Sequence, residues 1–177
     1  MRRANEAILR TRHVTPTLDD IIHDLNGATV ISKLDMLSGY PQLELEPASS
    51  YITTFATHVG FYRYRRLNFG ISSASEIFQD TIRQVLTDIR AAVNISDDII
   101  IYGKDQASHD LALRAVIARL IDSELTLNKE KCELNKRRLE FFGHIFSADG
   151  VSVDPKRINQ INNCCYDSCK TIPDMCA

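Results

Sequence analysis

The stretch NISDDIIIYG, Asn94 to Gly103, decides how this chain is read. Val93 and Ile95 alternate before the two aspartates, and Ile99, Ile100, Ile101 and Tyr102 follow them. Period-two alternation, a short polar interruption and a β-branched run predict strand, tight turn, strand, with Asp97 and Asp98 at the turn. The same four letters, DDII, recur in LDDIIHDLNG, Leu18 to Gly27, in a different setting. There Leu18, Ile21, Ile22 and Leu25 fall at helical spacing. Thr15-Pro16-Thr17 offers a helix start, Asp19 and Asp20 suit the first turn, and Asn26-Gly27 suits the end. The first pair thus belongs to a helix start and the second to a hairpin.

Working outward, ATVISKLD predicts a strand that delivers Asp35 at its C-terminal end. ITTFATH and FYRYRRLNF predict two strands around Val59-Gly60, with Tyr62 and Tyr64 on one face and Arg63 and Arg65 on the other. Ser73 with Glu76 has the spacing of a capping box. Ala74, Ile77, Phe78, Ile82, Val85, Leu86 and Ile89 form the apolar stripe of the helix that follows. Leu113, Val116, Ile117, Leu120 and Ile121 mark a third helix, and the run Ser108-His109-Asp110 suits its start better than a catalytic triad. LTLNKEKCEL and LEFFGHIFS predict strands around Asn135-Lys136, and Pro155 begins a short charged segment. Helices interleaved with a largely antiparallel sheet give an α+β fold with helices packed on one face.

The 177 residues suffice for one domain with a core, and 44% apolar and 25% charged residues are ordinary for a globular chain. No apolar run is long enough to cross a membrane, and the basic N-terminus lacks the apolar segment of a signal peptide. A net charge of -2 gives no global basic field. Basic residues nevertheless cluster at Arg2/Arg3, Arg10/Arg12, Arg63/Arg65/Arg66 and Lys136/Arg137/Arg138, which suits either a phosphate backbone or a solvated surface. Four of the five cysteines (Cys164, Cys165, Cys169, Cys176) crowd into the last fourteen residues and only Cys132 lies in the body. That odd count and spacing predict a reducing compartment and fit neither a disulfide framework nor a zinc pattern. Walker, Rossmann, G-x-S-x-G and H-E-x-x-H patterns are absent.

Two adjacent carboxylates among isoleucines are costly as bare anions, and each raises the pKa of the other. A divalent cation relieves both penalties, and oxygen-only ligands select a hard ion such as Mg²⁺. Asp35, ending a strand expected beside the hairpin, supplies another carboxylate, which suits a two-metal site for phosphoryl transfer. A solvated Asp-Asp turn is the competing reading of the same spacing.

The segments SKLDMLSGYPQLEL, TTFATHVGFYRYRRLNFGISSASEIFQ, NISDDIIIYGK and LTLNKEKCEL…LEFFGHIFSADG, in that order, resemble the reverse transcriptase of gypsy-type LTR retrotransposons from about Met1 to Ile161. The resemblance implies a polymerase palm with a partial fingers subdomain, acting as an RNA-directed DNA polymerase. It implies Asp35, Asp97 and Asp98 as ligands of Mg²⁺ or Mn²⁺, the first two as main ligands, and Lys131 as the proton donor to leaving pyrophosphate. Tyr40 matches the ring that rejects a 2′-hydroxyl, and Phe69 and Gly70 match the nucleotide pocket. Phe141, Phe142, Gly143 and His144 match the primer grip, while Arg63, Arg65, Lys136, Arg137 and Arg138 would follow the phosphate backbone. The implied partners are an RNA or DNA template with primer, a dNTP and, in a full element, RNase H and integrase domains of the same polyprotein, with no membrane. The implied location is the cytoplasm, within a virus-like particle, or the nucleus.

Three positions depart from the family pattern. Ile95 stands where an aromatic is usual, Pro41 where His is common, and Ser75 where Pro is usual. None removes a carboxylate. The chain is expected to be a palm-centred piece lacking most of the fingers, with residues 162–177 a divergent, unstructured tail. Two other readings stand beside polymerase activity: a catalytically inactive nucleic-acid-binding remnant, and a decayed gene product.

Overall fold

The computed structural model describes residues 5, 6, 8 and 16–159. Thr15, the basic pairs Arg2/Arg3 and Arg10/Arg12, and the tail with its four cysteines lie outside them. The first helix, α1 (Leu18–Asp24), starts at Thr17, whose hydroxyl accepts the Asp20 amide while the Asp20 carboxylate accepts the Thr17 amide. This reciprocal cap is why the first DDII is helical. The chain continues through β1 (Val30–Asp35), a hairpin of β2 (Phe55–Thr57) and β3 (Gly60–Tyr62), and α2 (Ala74–Val85). Then follow β4 (Ala92–Ile95), β5 (Asp98–Gly103), α3 (Gln106–Asp122), β6 (Glu133–Lys136), β7 (Arg138–Phe141), β8 (His144–Ser147) and β9 (Gly150–Val153).

The central sheet has the order β4-β5-β1-β6 and every pairing in it is antiparallel. Alternation along its strands sends side chains to two separate cores. Leu34, Ile99 and Ile101 meet Phe78 and Ile82 of α2 and Val116 and Leu120 of α3. Ile31, Ile95 and Ile100 face the other way, onto Ile21 and Leu25 of α1 and Leu139, Phe141 and Phe146 of the β7-β8-β9 sheet. The consecutive isoleucines of β5 are all fully buried because both faces of the sheet are covered. The α+β class and the two long helices on one face follow the sequence pattern. The second covering layer does not, because its partners are far apart in the chain.

Several local expectations change. Ser73 is the N-cap of α2 but makes no side-chain cap bond: its φ of −96° and ψ of 3° lie outside the extended region from which the hydroxyl reaches the first-turn amides. The buried face of α3 is His109, Ala112, Val116 and Leu120, whereas Ile117 and Ile121 are exposed. Asn135 and Lys136 are not a turn. They lie in β6, which joins β1 in the central sheet, and the next hairpin turns at Phe142-Gly143. The strands around Val59-Gly60 are three residues each, because Tyr51–Thr53 coils into a 3₁₀ turn. Among the described residues no helix is long and apolar enough to cross a membrane.

Candidate active site

Strand register brings the carboxylates together. Asp35, the last residue of β1, is the cross-strand partner of Asp98, the first residue of β5. Asp97 occupies the two-residue turn with Ser96, whose φ is 52°. Three backbone contacts fix that turn. The Met36 amide donates to the Asp97 carbonyl at 2.8 Å, the Ser96 amide donates to Gln79 Oε1 at 2.7 Å, and Gln79 Nε2 donates to the Asn94 carbonyl at 2.7 Å. Asn94 Nδ2 returns a bond to the Gln79 carbonyl at 3.0 Å. The buried amide of Gln79 on α2 thus clips the end of β4 and the turn that follows it.

Like charges directly opposite in a sheet repel. Burial pushes the Asp98 carboxyl above the usual carboxylate range; Lys33 pulls it back, and Asp35 and Asp97 push it further up. Burial and then Asp35 likewise raise Asp97, against Lys131. Asp98 Oδ1 is buried without a hydrogen-bond partner. A Cβ on Gly39 would stand 2.5 Å from Asp97 Oδ1, so only glycine leaves that oxygen its space. An orphaned buried oxygen beside two further carboxylates suits a hard divalent cation. Among the described residues no three His, Cys, Asp or Glu side chains close into a ready cage. That is compatible with Mg²⁺, which typically takes one or two carboxylates and completes its shell with water and substrate phosphate.

Lys131 Nζ lies 4.0 Å from Asp35 Oδ2 and is largely exposed. Its loop is tied down by the Asn128 amide on the Asp35 carbonyl at 2.8 Å. Tyr40, next to Gly39, packs against Phe69 at 5.0 Å between centroids and edge-on to Phe78 at 5.5 Å. Phe69 itself is 74% exposed. Asn5 secures the loop beyond it, donating from Nδ2 to the Gly70 carbonyl at 2.8 Å and accepting the Ser72 amide at 3.0 Å.

The Phe141–His144 turn has Phe141 buried and Phe142 half-exposed, their rings T-shaped at 4.6 Å. Phe142 and Ile95 line one cavity of about 290 Å³, so the turn and the aspartate hairpin share a boundary. Arg157 holds the turn from outside, donating from Nη1 to the Phe142 carbonyl at 2.9 Å. The basic residues divide. Arg63 lies 4.2 Å over the Tyr51 ring on the segment after β3, and Arg65 is exposed beyond it. Lys136 pairs opposite Ile31, four residues up β1 from Asp35, with Arg137 and Arg138 following. The structure therefore gathers Asp35, Asp97, Asp98 and Lys131, sets Tyr40 with Phe69, and leaves the two basic groups on separate elements. Gln79 and Lys33 escaped the sequence reading. A glutamine next to Phe78 on an apolar helix face was the available signal for the first.

Residues 1–146 match the family described as reverse transcriptase (RNA-dependent DNA polymerase). The retrovirus-related Pol polyprotein from transposon gypsy of Drosophila melanogaster is 32% identical over 162 residues, covering 90% of this chain and 16% of the polyprotein. That from transposon 297 of the same organism is 30% identical over 162 residues, covering 90% and 15%. The chain therefore spans a small part of these relatives. Among solved structures, the foamy viral protease-reverse transcriptase dRH in complex with double-stranded DNA superposes with a TM-score of 0.83 at 19% identity, over 92% of this chain and 29% of that one. The foamy viral protease-reverse transcriptase in complex with an RNA/DNA hybrid gives 0.77 at 18% identity, over 92% and 22%. Family match, relatives and shared palm fold agree, and this chain belongs to the reverse transcriptase family.

Proposed function

We propose that this chain is the palm of an RNA-directed DNA polymerase that adds dNMP units to a primer 3′-hydroxyl on an RNA or DNA template. The observation that carries the reading is the cross-strand pair Asp35–Asp98 with Asp97 in the adjoining turn and an unpartnered buried oxygen on Asp98. Mg²⁺ or Mn²⁺ bound there would lower the pKa of the attacking hydroxyl and neutralise the triphosphate. Asp35 and Asp97 would hold it, with Asp98 in support. The primer 3′-oxygen attacks the α-phosphorus, the bond to the β-phosphate oxygen breaks, and pyrophosphate leaves. Lys131, exposed beside Asp35, is positioned to give that leaving group its proton. Tyr40, backed by Phe69 and Phe78, offers a ring beneath the sugar where a 2′-hydroxyl would collide. Phe141 to His144 would support the primer end. Arg63, Arg65 and Lys136 to Arg138 would contact phosphates. RNase H and integrase partners belong to the same proposal, supported by relatives that are polyproteins.

Asp97→Asn tests the roles. Primer extension is expected to fall by about 10³-fold or more, with binding to a primer–template hybrid, read by fluorescence anisotropy, changed less than about twofold. A folded variant that loses binding as well would contradict the assignment of Asp97. A parent chain that binds the hybrid in a salt-dependent way but never extends it would favour the binding-module reading.

A further inference from the structure

A polar ring links three elements behind the active site. Asn135 N–H donates to Ser32 Oγ at 3.0 Å. Ser32 Oγ pairs with His109 Nε2 at 2.9 Å, and His109 Nδ1 with Asp110 Oδ1 at 3.1 Å. Gln106 Nε2 donates to Asp110 Oδ1 at 2.7 Å and to Asn135 Oδ1 at 3.0 Å, which closes the circle. One proton arrangement satisfies every member: Ser32 donates to a neutral His109, whose Nδ1–H donates to Asp110. The order serine, histidine, aspartate is that of a hydrolase triad, but Ser32 and His109 are both fully buried and the serine oxygen is already occupied. The serine and histidine have no access to substrate.

Its place in the sheet gives it a purpose. Ile31 pairs with Lys136 and Lys33 with Glu133, so Leu134 and Asn135 together oppose Ser32. This is a β-bulge, and Asn135 has the left-handed φ of 54° that bulges favour. A bulge takes one amide out of the ladder, and Ser32 Oγ captures it. The helix can come this close only because β5 ends in Gly103, where a Cβ would stand 2.7 Å from the His109 backbone nitrogen. Lys131 lies in the short loop between Asn128, whose amide bonds the Asp35 carbonyl and whose carbonyl accepts the Lys131 amide at 3.1 Å, and β6, whose bulge is pinned by Asn135 on Ser32.

We propose that Ser32 and His109, completed by Gln106, Asp110 and Asn135, are positioning residues that pin the bulge of β6 and, through it, hold the 129–132 loop so that Lys131 stays beside Asp35. The proposal rests on the polymerase reading for its catalytic consequence, but not for its structural one. Two measurements on the full chain separate them. In single-nucleotide addition with Mg²⁺, Ser32→Ala and the solvent-edge variant Asp110→Ala should each lower kcat about five- to tenfold at unchanged KM for dNTP. In a Lys131→Ala background the same changes should cost less than about twofold, because coupled residues are non-additive. Asp110→Asn, which keeps an acceptor oxygen, should recover most of the loss. Equal losses in both backgrounds, or no cost from Lys131→Ala itself, would overturn the proposal. Amide hydrogen exchange needs no activity. Both alanine variants should speed exchange at Asn135 and Lys131 about tenfold or more while Met36 keeps the parent rate. Unchanged exchange at Lys131 would overturn the positioning role even if extension is observed. Absent extension with the expected exchange pattern would leave the positioning role standing and remove the polymerase reading alone.

Discussion

At Asp98, burial and the carboxylates of Asp35 and Asp97 all favour the protonated form, opposed by Lys33 and Lys131. A carboxyl whose pKa is raised by folding costs stability as pH rises through its folded value. In metal-free buffer, Asp98→Asn should therefore raise the melting temperature at pH 7 by about 2 °C, allowing for solvent screening of a partly buried group. The advantage should vanish below the ordinary carboxylate range, where both forms are neutral. Thermal melts across pH 3.5 to 8 would check this, and a less stable Asn variant at pH 7 would show that the carboxylate has a compensating partner. The aspartates themselves were legible, since an acidic pair in an apolar run announces a cost. Gln79, Ser32 and His109 were not. Their significance comes from partners 15, 103 and 77 positions away. A serine in a strand or a histidine in a helix carries no such mark.

Among the elements, the β4-β5 hairpin packs on α2 through Ile99 and Ile101, and its turn is bonded to that helix by Gln79. Gln79→Ala would leave the buried Asn94 carbonyl without its partner, while the Ser96 amide, in an exposed turn, could turn to water. A loss of about 1–2 kcal/mol in urea unfolding is expected, together with weakened extension. A loss under about 0.5 kcal/mol would mean that the turn holds its shape without the clip. Periodicity revealed α1, β1, α2 and the aspartate hairpin, because each carries a continuous apolar face. It failed for β6, whose Glu133–Lys136 run has one partly buried residue and three exposed ones, so no alternation marks it as a strand. The face of α3 was misjudged for a related reason. His109 reads as polar, yet it is fully buried and its bonds are all made within the fold. Ile117 and Ile121, read as core, face outward.

For the whole molecule, a net charge of -2 conceals a sharp local imbalance. From Pro47 to Ser75 there are three arginines and six aromatic residues and no acid. Hybrid binding should accordingly weaken steeply with salt, and Arg63→Ala/Arg65→Ala should reduce the slope of log affinity against log salt by about 1 to 2. An unchanged slope would remove these arginines from the phosphate contacts. Two cores on opposite faces of one sheet hold the carboxylates at the end of its two central strands, where β1 ends and β5 begins. That end of the sheet is the centre of the functional reading. Its most direct test is the addition of one labelled dNMP to a DNA primer on an RNA template, with Mg²⁺ and then Mn²⁺. The full chain is compared with its Asp97→Asn/Asp98→Asn variant. Metal-dependent addition by the parent, lost by about 10³-fold or more in the variant, is the expected result. Addition by the folded variant at the parent rate, or none by a folded parent with either metal, would contradict it.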